Sequence, residues 1–181
     1  DVVVFRDTLG WLKAATEEDP LEKALVFVGL APDRSVNHLI KRVIGVAGDH
    51  VICCDAQARL TVNGTAIDES AYLYTDPATG EQVAASAFDF DLVVPKGTVF
   101  VLGDHRNASA DSRCHLADDT GGGPPGSMAF VPTANIVGAA FAVVYPFSRL
   151  REITRPRTFE NLPVGQVPPE APRLTGPLVT C

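Results

Sequence analysis

NHLIKRVIGVAGD, residues Asn37 to Asp49, decides how the rest of the chain is read. Taken as a strand from Leu39 to Val46, it alternates faces, so that Lys41 lies with Leu39 and Val43 while Arg42 points the other way with Ile40 and Ile44. Lys41 then has apolar neighbours on its own face. A lysine acts as a base only when neutral, and moving its pKa from about 10.4 to about 7 takes roughly 4 to 5 kcal/mol of selective disfavour for the charged form. Apolar burial is the known way to supply it. On its own, a lysine in a strand reads by default as an edge residue with its ammonium in water.

Working outward, the organisation is mainly β. Val2 to Phe5, Val51 to Cys54, Leu60 to Ile67, Phe88 to Val94, Thr98 to Leu102 and Ile136 to Tyr145 all read as strands. Asn63-Gly64 is a hairpin signal, because both residues tolerate the positive φ of a type I′ turn. Pro95-Lys96-Gly97 turns the chain between two strands, and residues 121–126 form a Gly/Pro-rich loop. The segment from Trp11 to Leu30 differs in character. Asp19 reads as an N-cap, Pro20 as the first helical residue and Glu22 as the third, with Leu21, Ala24, Leu25 and Val28 on one face of a short amphipathic helix. The expected division is a catalytic β core over 1–52 and 97–150 with a helical insert at 11–30, and a smaller β-hairpin lobe over 53–96. A proline-rich tail over 151–181 is expected to be extended or disordered.

Composition sets bounds on function. The chain has 181 residues, 46% of them apolar and 20% charged, which suits a folded domain and excludes a disordered one. A net charge of −7 without clustered Lys and Arg argues against nucleic acid as a partner. Cys53, Cys54, Cys114 and Cys181 show neither a CxxC pair nor a histidine spacing suited to zinc, so no metal or other cofactor is expected. Two readings of the cysteines stay open: a disulfide from Cys114 to Cys53 or Cys54 in an oxidising compartment, or unpaired buried thiols. The longest apolar run, Met128 to Phe147, is broken by Pro132, Thr133, Asn135 and Gly138, which makes it buried strand rather than a membrane span.

VLGDHRNASADSR, Val101 to Arg113, carries the second half of the chemistry. An apolar strand ends at Gly103 and opens into a polar loop. Asp104 is placed to pair with Arg42, and Asp111 with Arg113, which would hold the loop rigid. Ser109 is then placed to hydrogen-bond the Lys41 amine and fix its orientation. The competing reading is a polar surface loop with incidental ion pairs of little energetic weight. His105 reads as a hydrogen-bonding bystander.

KRVIGVAGD (Lys41 to Asp49), GDHRNASADSR (Gly103 to Arg113) and the opening DVVVF resemble three sequence boxes of bacterial type I signal peptidases, in the family's order. The resemblance runs from Asp1 to about Pro146. It implies a fold of antiparallel β-sheets with a small β lobe and a short helical insertion, similar to actinobacterial members. It implies a membrane-anchored serine endopeptidase with a Ser/Lys dyad, which cleaves signal peptides from exported preproteins after small residues, with its catalytic domain on the extracytoplasmic face. The family's general-base lysine falls on Lys41 and its supporting serine on Ser109. Its structural ion pairs fall on Arg42 with Asp104 and on Asp111 with Arg113, and its substrate pocket is lined in part by Leu39 and Ile40.

The chain departs from the pattern in two places. The family's nucleophile sits in a box of the type SMxPT, after a membrane helix and before the opening strand. The chain starts after that point, so the expectation is a fragment that has the base but neither the attacking serine nor the anchor, and that does not cleave as it stands. Ser127-Met128 with Pro132-Thr133 imitates that box with the wrong spacing and reads as loop. The usual asparagine of GDNR is His105, which retains a donor. Two alternatives remain: a self-cleaving repressor-type domain with the same dyad, and a non-catalytic β module that binds peptides.

Overall fold

The computed structural model describes residues 1–12 and 37–181, apart from 177, 179 and 180. Two five-stranded antiparallel sheets make up the body. The first runs β8 (Val131–Pro132), β7 (Thr98–Leu102), β2 (His38–Val46), β1 (Val2–Arg6), β9 (Ile136–Ala139). The second runs β12 (Arg173–Leu174), β6 (Phe90–Val93), β3 (His50–Cys53), β4 (Thr61–Val62), β5 (Thr65–Ala66). A small ribbon joins β10 (Ala142–Val143) to β11 (Arg151–Glu152). The fold is mainly β, as expected.

The nine-residue β2 is the axis of the first sheet. It pairs with β1 from Val2↔Arg42 to Arg6↔His38, and with β7 from Arg42↔Leu102 to Val46↔Val99, with a bulge between Val43 and Gly45. β7 is buried on both faces. Val99 and Val101 join Val3, Phe5, Trp11 and Val131 in one apolar cluster, while Phe100 and Leu102 join Ile44, Val51, Phe90, Leu92 and Phe130 in the other. That is why VFVL reads as an unbroken apolar run rather than an alternating one. The second cluster bridges both sheets, and the rings of Phe90, Phe100 and Phe130 meet at centroid distances of 5.4 and 5.8 Å.

The Asn63-Gly64 turn has φ of 52° and 78°, the positive pair a type I′ hairpin needs. The helix read at Asp19 to Val28, and most of the insert around it, lies outside the described residues.

The cysteines differ from expectation, and the tail is bound to the body. Among the described residues, 151–176 are largely extended and bound to the body at several points. β11 pairs with β10, and β12 extends the second sheet beside β6. Gln166 donates to the Gly48 carbonyl at 3.0 Å, and the Pro169 carbonyl accepts from the Lys96 amide at 2.8 Å. A Cβ on Gly48 would overlap the Gln166 carbonyl, so glycine is what lets the tail lie on that turn. Prolines suppress periodicity but leave carbonyls free to accept bonds, which sequence patterning does not register. Cys114 is joined to Cys181, not to Cys53 or Cys54, and those two neighbours are joined to each other. The tail brings Cys181 to Cys114, and with its course unread the pairing was out of reach.

Candidate active site

Lys41 and Ser109 come from opposite ends of the two motifs and meet beside Gly103. The Lys41 Nζ donates to Ser109 Oγ at 2.7 Å. Lys41 is half-buried on the β2 face that carries Leu39 and Val43, both packed against the Val3/Phe5/Val101 cluster. Burial holds its amine below the ordinary lysine value. The nearby Asp111 carboxylate pulls it back up, and the Arg113 guanidinium lowers it further. A Cβ on Gly103 would overlap the Ser109 side chain and come within 3.7 Å of Lys41 Nζ, so a residue without a side chain is needed for the two to meet.

The loop that presents Ser109 is built on two ion pairs, one fully buried and one with its aspartate partly exposed. Asp111, fully buried, takes two bonds from Arg113, Nε to Oδ1 at 2.9 Å and Nη2 to Oδ2 at 2.8 Å. Its Oδ2 also accepts from the Gly103 amide at 3.0 Å, which fixes the strand end on which the loop starts. Arg42 makes a two-pronged pair with Asp104, Nε to Oδ1 and Nη2 to Oδ2, both at 2.7 Å. Planar guanidinium against planar carboxylate gives direction as well as strength. Ser112 is buried, and its Oγ accepts from the Val101 amide at 3.0 Å, which ties the loop back to β7.

The structure therefore brings together Lys41, Ser109, Gly103, Asp104, Arg42, Asp111 and Arg113. Leu39 is half-buried on the Lys41 face, whereas Ile40 is 56% exposed on the other side of β2. His105 stacks on Tyr74 at 3.8 Å between centroids and lies outside the lysine–serine contact. Three residues of this neighbourhood were missed in the sequence. Arg106 is buried, donates Nε to the Gly103 carbonyl at 2.9 Å and pairs with the buried Glu69, which also accepts from the Tyr72 hydroxyl at 2.7 Å. Arg106 stands inside GDHRNASADSR, so its burial was within reach of a closer reading. Glu69 and Tyr72 lie in a short turn with no pattern around them.

Among the described residues, Cys53, Cys54 and Asp89 place ligand-type atoms within 4.8 Å of one another. Their thiols are bonded to each other and offer no thiolate to a metal.

Residues 1–145 match the family described as signal peptidase, peptidase S26. The chain belongs to that family. Signal peptidase I of Mycobacterium tuberculosis is 37% identical over 82% of this chain and 52% of its own length. A probable signal peptidase I of Mycobacterium leprae is 35% identical over 82% of the chain and 56% of its own. The chain thus spans about half the length of these signal peptidase relatives. A crystal structure of an Enterococcus faecalis signal peptidase I aligns with 59% of this chain and 86% of its own at 28% identity, with a TM-score of 0.41.

Proposed function

We propose that these residues are the catalytic region of a serine endopeptidase that removes signal peptides from exported preproteins, with Lys41 as the general base. The observation that carries the reading is the 2.7 Å bond between a half-buried lysine and Ser109, beside a glycine that admits nothing larger. In this reading Ser109 orients the amine, and the attacking serine belongs to chain outside these residues, together with the oxyanion donors and a membrane-spanning anchor. Among the described residues no helix is long and apolar enough to cross a membrane.

The reaction is acyl transfer. Neutral Lys41 takes the proton of the attacking hydroxyl as its oxygen bonds the scissile carbonyl carbon, and hands that proton to the amine nitrogen as the peptide bond breaks. Lys41, neutral again, then takes a proton from water as the water oxygen bonds the acyl carbon, and returns it to the serine oxygen as the ester bond breaks. An extended substrate segment adds beside residues 39–41, where β7 has turned away at Gly103 and the described strands leave one edge of β2 uncovered. Leu39 and Ile40 contribute to the pocket for the small side chain at the cut. The Cys114–Cys181 bond supports an extracytoplasmic, oxidising location for this region.

The test is cleavage of a preprotein by the full-length protein carrying Lys41→Ala. Loss of at least about 10²- to 10⁴-fold in kcat, the usual range for a proton-transfer group, is the expected outcome. Undiminished cleavage would end the reading.

A further inference from the structure

One turn of the smaller lobe, residues 69–74, grips both the strand that carries Lys41 and the loop that carries Ser109. The Glu69 carboxylate is buried and holds the Arg106 guanidinium together with the Tyr72 hydroxyl. Arg106 passes this on: its Nε bonds the Gly103 carbonyl at 2.9 Å, its Nη1 the Ala85 carbonyl at 2.7 Å, and its own carbonyl accepts from Arg113 Nη2 at 2.8 Å. Gly103 is the residue against which Ser109 and Lys41 meet.

The Tyr72 ring lies against Arg42, whose guanidinium carbon is 4.0 Å from the ring centroid. Among the described residues Arg42 Nη1 is buried without a hydrogen-bond partner. A buried donor left in that state needs some other stabilisation, and the negative face of an aromatic ring supplies it to a cation. The Tyr72 hydroxyl stays protonated, since burial, then the Glu69 charge and the bond to Glu69, raise its pKa above the ordinary tyrosine value. One residue pair of the lobe thus fixes the arginines on either side of the lysine–serine contact. The Tyr74 amide adds a bond to the Asp104 carbonyl at 3.0 Å.

We infer that Glu69 and Tyr72 are positioning residues for the Lys41–Ser109 pair: through them the smaller lobe sets where Arg42 and Gly103 sit, and hence where lysine and serine meet. The inference rests on the peptidase reading above and adds to it a role for a lobe outside both motifs.

The experiment measures kcat and KM for preprotein cleavage across pH in the full-length protein carrying Tyr72→Leu, Tyr72→Phe or Glu69→Gln, with the folded fraction taken from thermal melts. The expected result is a fall in kcat of about 10- to 100-fold, as for a sub-ångström to 1 Å displacement of reacting groups, with KM nearly unchanged. The acidic limb of the pH–rate profile moves to higher pH as water reaches Lys41. Tyr72→Phe, which keeps the ring over Arg42, retains more activity than Tyr72→Leu. A fall that only follows the folded fraction, with the limb where the unmodified protein has it, overturns the inference. Should Glu69→Gln fail to fold, Tyr72→Leu decides, read against its own folded fraction: a shifted limb supports the role and an unshifted one overturns it. Undiminished cleavage by Lys41→Ala sinks the peptidase reading, whereas an inactive Lys41→Ala beside normal profiles in the Tyr72 and Glu69 variants sinks this inference only.

Discussion

Lys41 destabilises the fold that holds it when it is charged. In the unfolded chain its amine keeps a proton to about pH 10.4. In the folded protein burial lowers that value, so over the interval between the two the unfolded state binds more protons and stability rises with pH. Below the folded-state value both states are protonated and the cost of burial is present in full. Lys41→Met is therefore expected to melt at a higher temperature than the unmodified protein near neutral pH, with the difference shrinking as pH climbs through the lowered pKa toward 10.5. Melts at a series of pH values check this. Ser109→Ala is expected to lower kcat by about 10²-fold or less while leaving measurable cleavage, as befits a group that orients the base. Cleavage as low as in Lys41→Ala would count against a role limited to orientation. Lys41, Ser109 and the arginine–aspartate pairs were legible because each lies in one of two short polar-in-apolar motifs. Glu69 was not, because its partner Arg106 is 37 residues away and nothing local marks a carboxylate as buried.

At the scale of elements, two features decide whether the site forms. β7 delivers the loop, and its end is pinned where the Gly103 amide meets Asp111. Gly103→Ala pushes a methyl group into Ser109, and a loss in kcat of about 10²-fold or more, measured on the full-length protein, is the expected outcome. The strand itself is held by faces that belong to different clusters. Phe100→Ala is expected to cost about 3 to 5 kcal/mol in denaturant unfolding, since the ring is fully buried between Phe90 and Phe130. Strand positions were readable from β-branched and aromatic runs, and the hairpin at Asn63-Gly64 from its turn residues. The bulge between Val43 and Gly45 was not readable. It lies where Gly45 packs closely against Val51 of the second sheet and Val94 just past that sheet's β6, a contact between elements that a periodicity of two does not encode.

For the molecule as a whole, the tail is the feature that sequence patterning understated. It crosses Gly48, adds β12 to the second sheet and ends in a bond from Cys181 to Cys114, directly after the buried Arg113. Closing a loop of 67 residues is worth about 4 kcal/mol in the chain-entropy account. Cys181→Ser is expected to lose stability of that order in denaturant unfolding, and to expose the tail to limited proteolysis. The β class, most strand positions and the two motifs could be read from the sequence alone, because these rest on local spacing and residue type, whereas the order of strands around Lys41 comes from their pairing. The family resemblance rests on the same local spacing and residue type. The partner of Cys114, the course of the tail and the contacts of Glu69 and Tyr72 with the arginines around the lysine–serine pair emerge from the folded chain. Those depend on which distant surfaces are brought to within bonding distance, and packing of the whole chain, not any stretch of it, sets that.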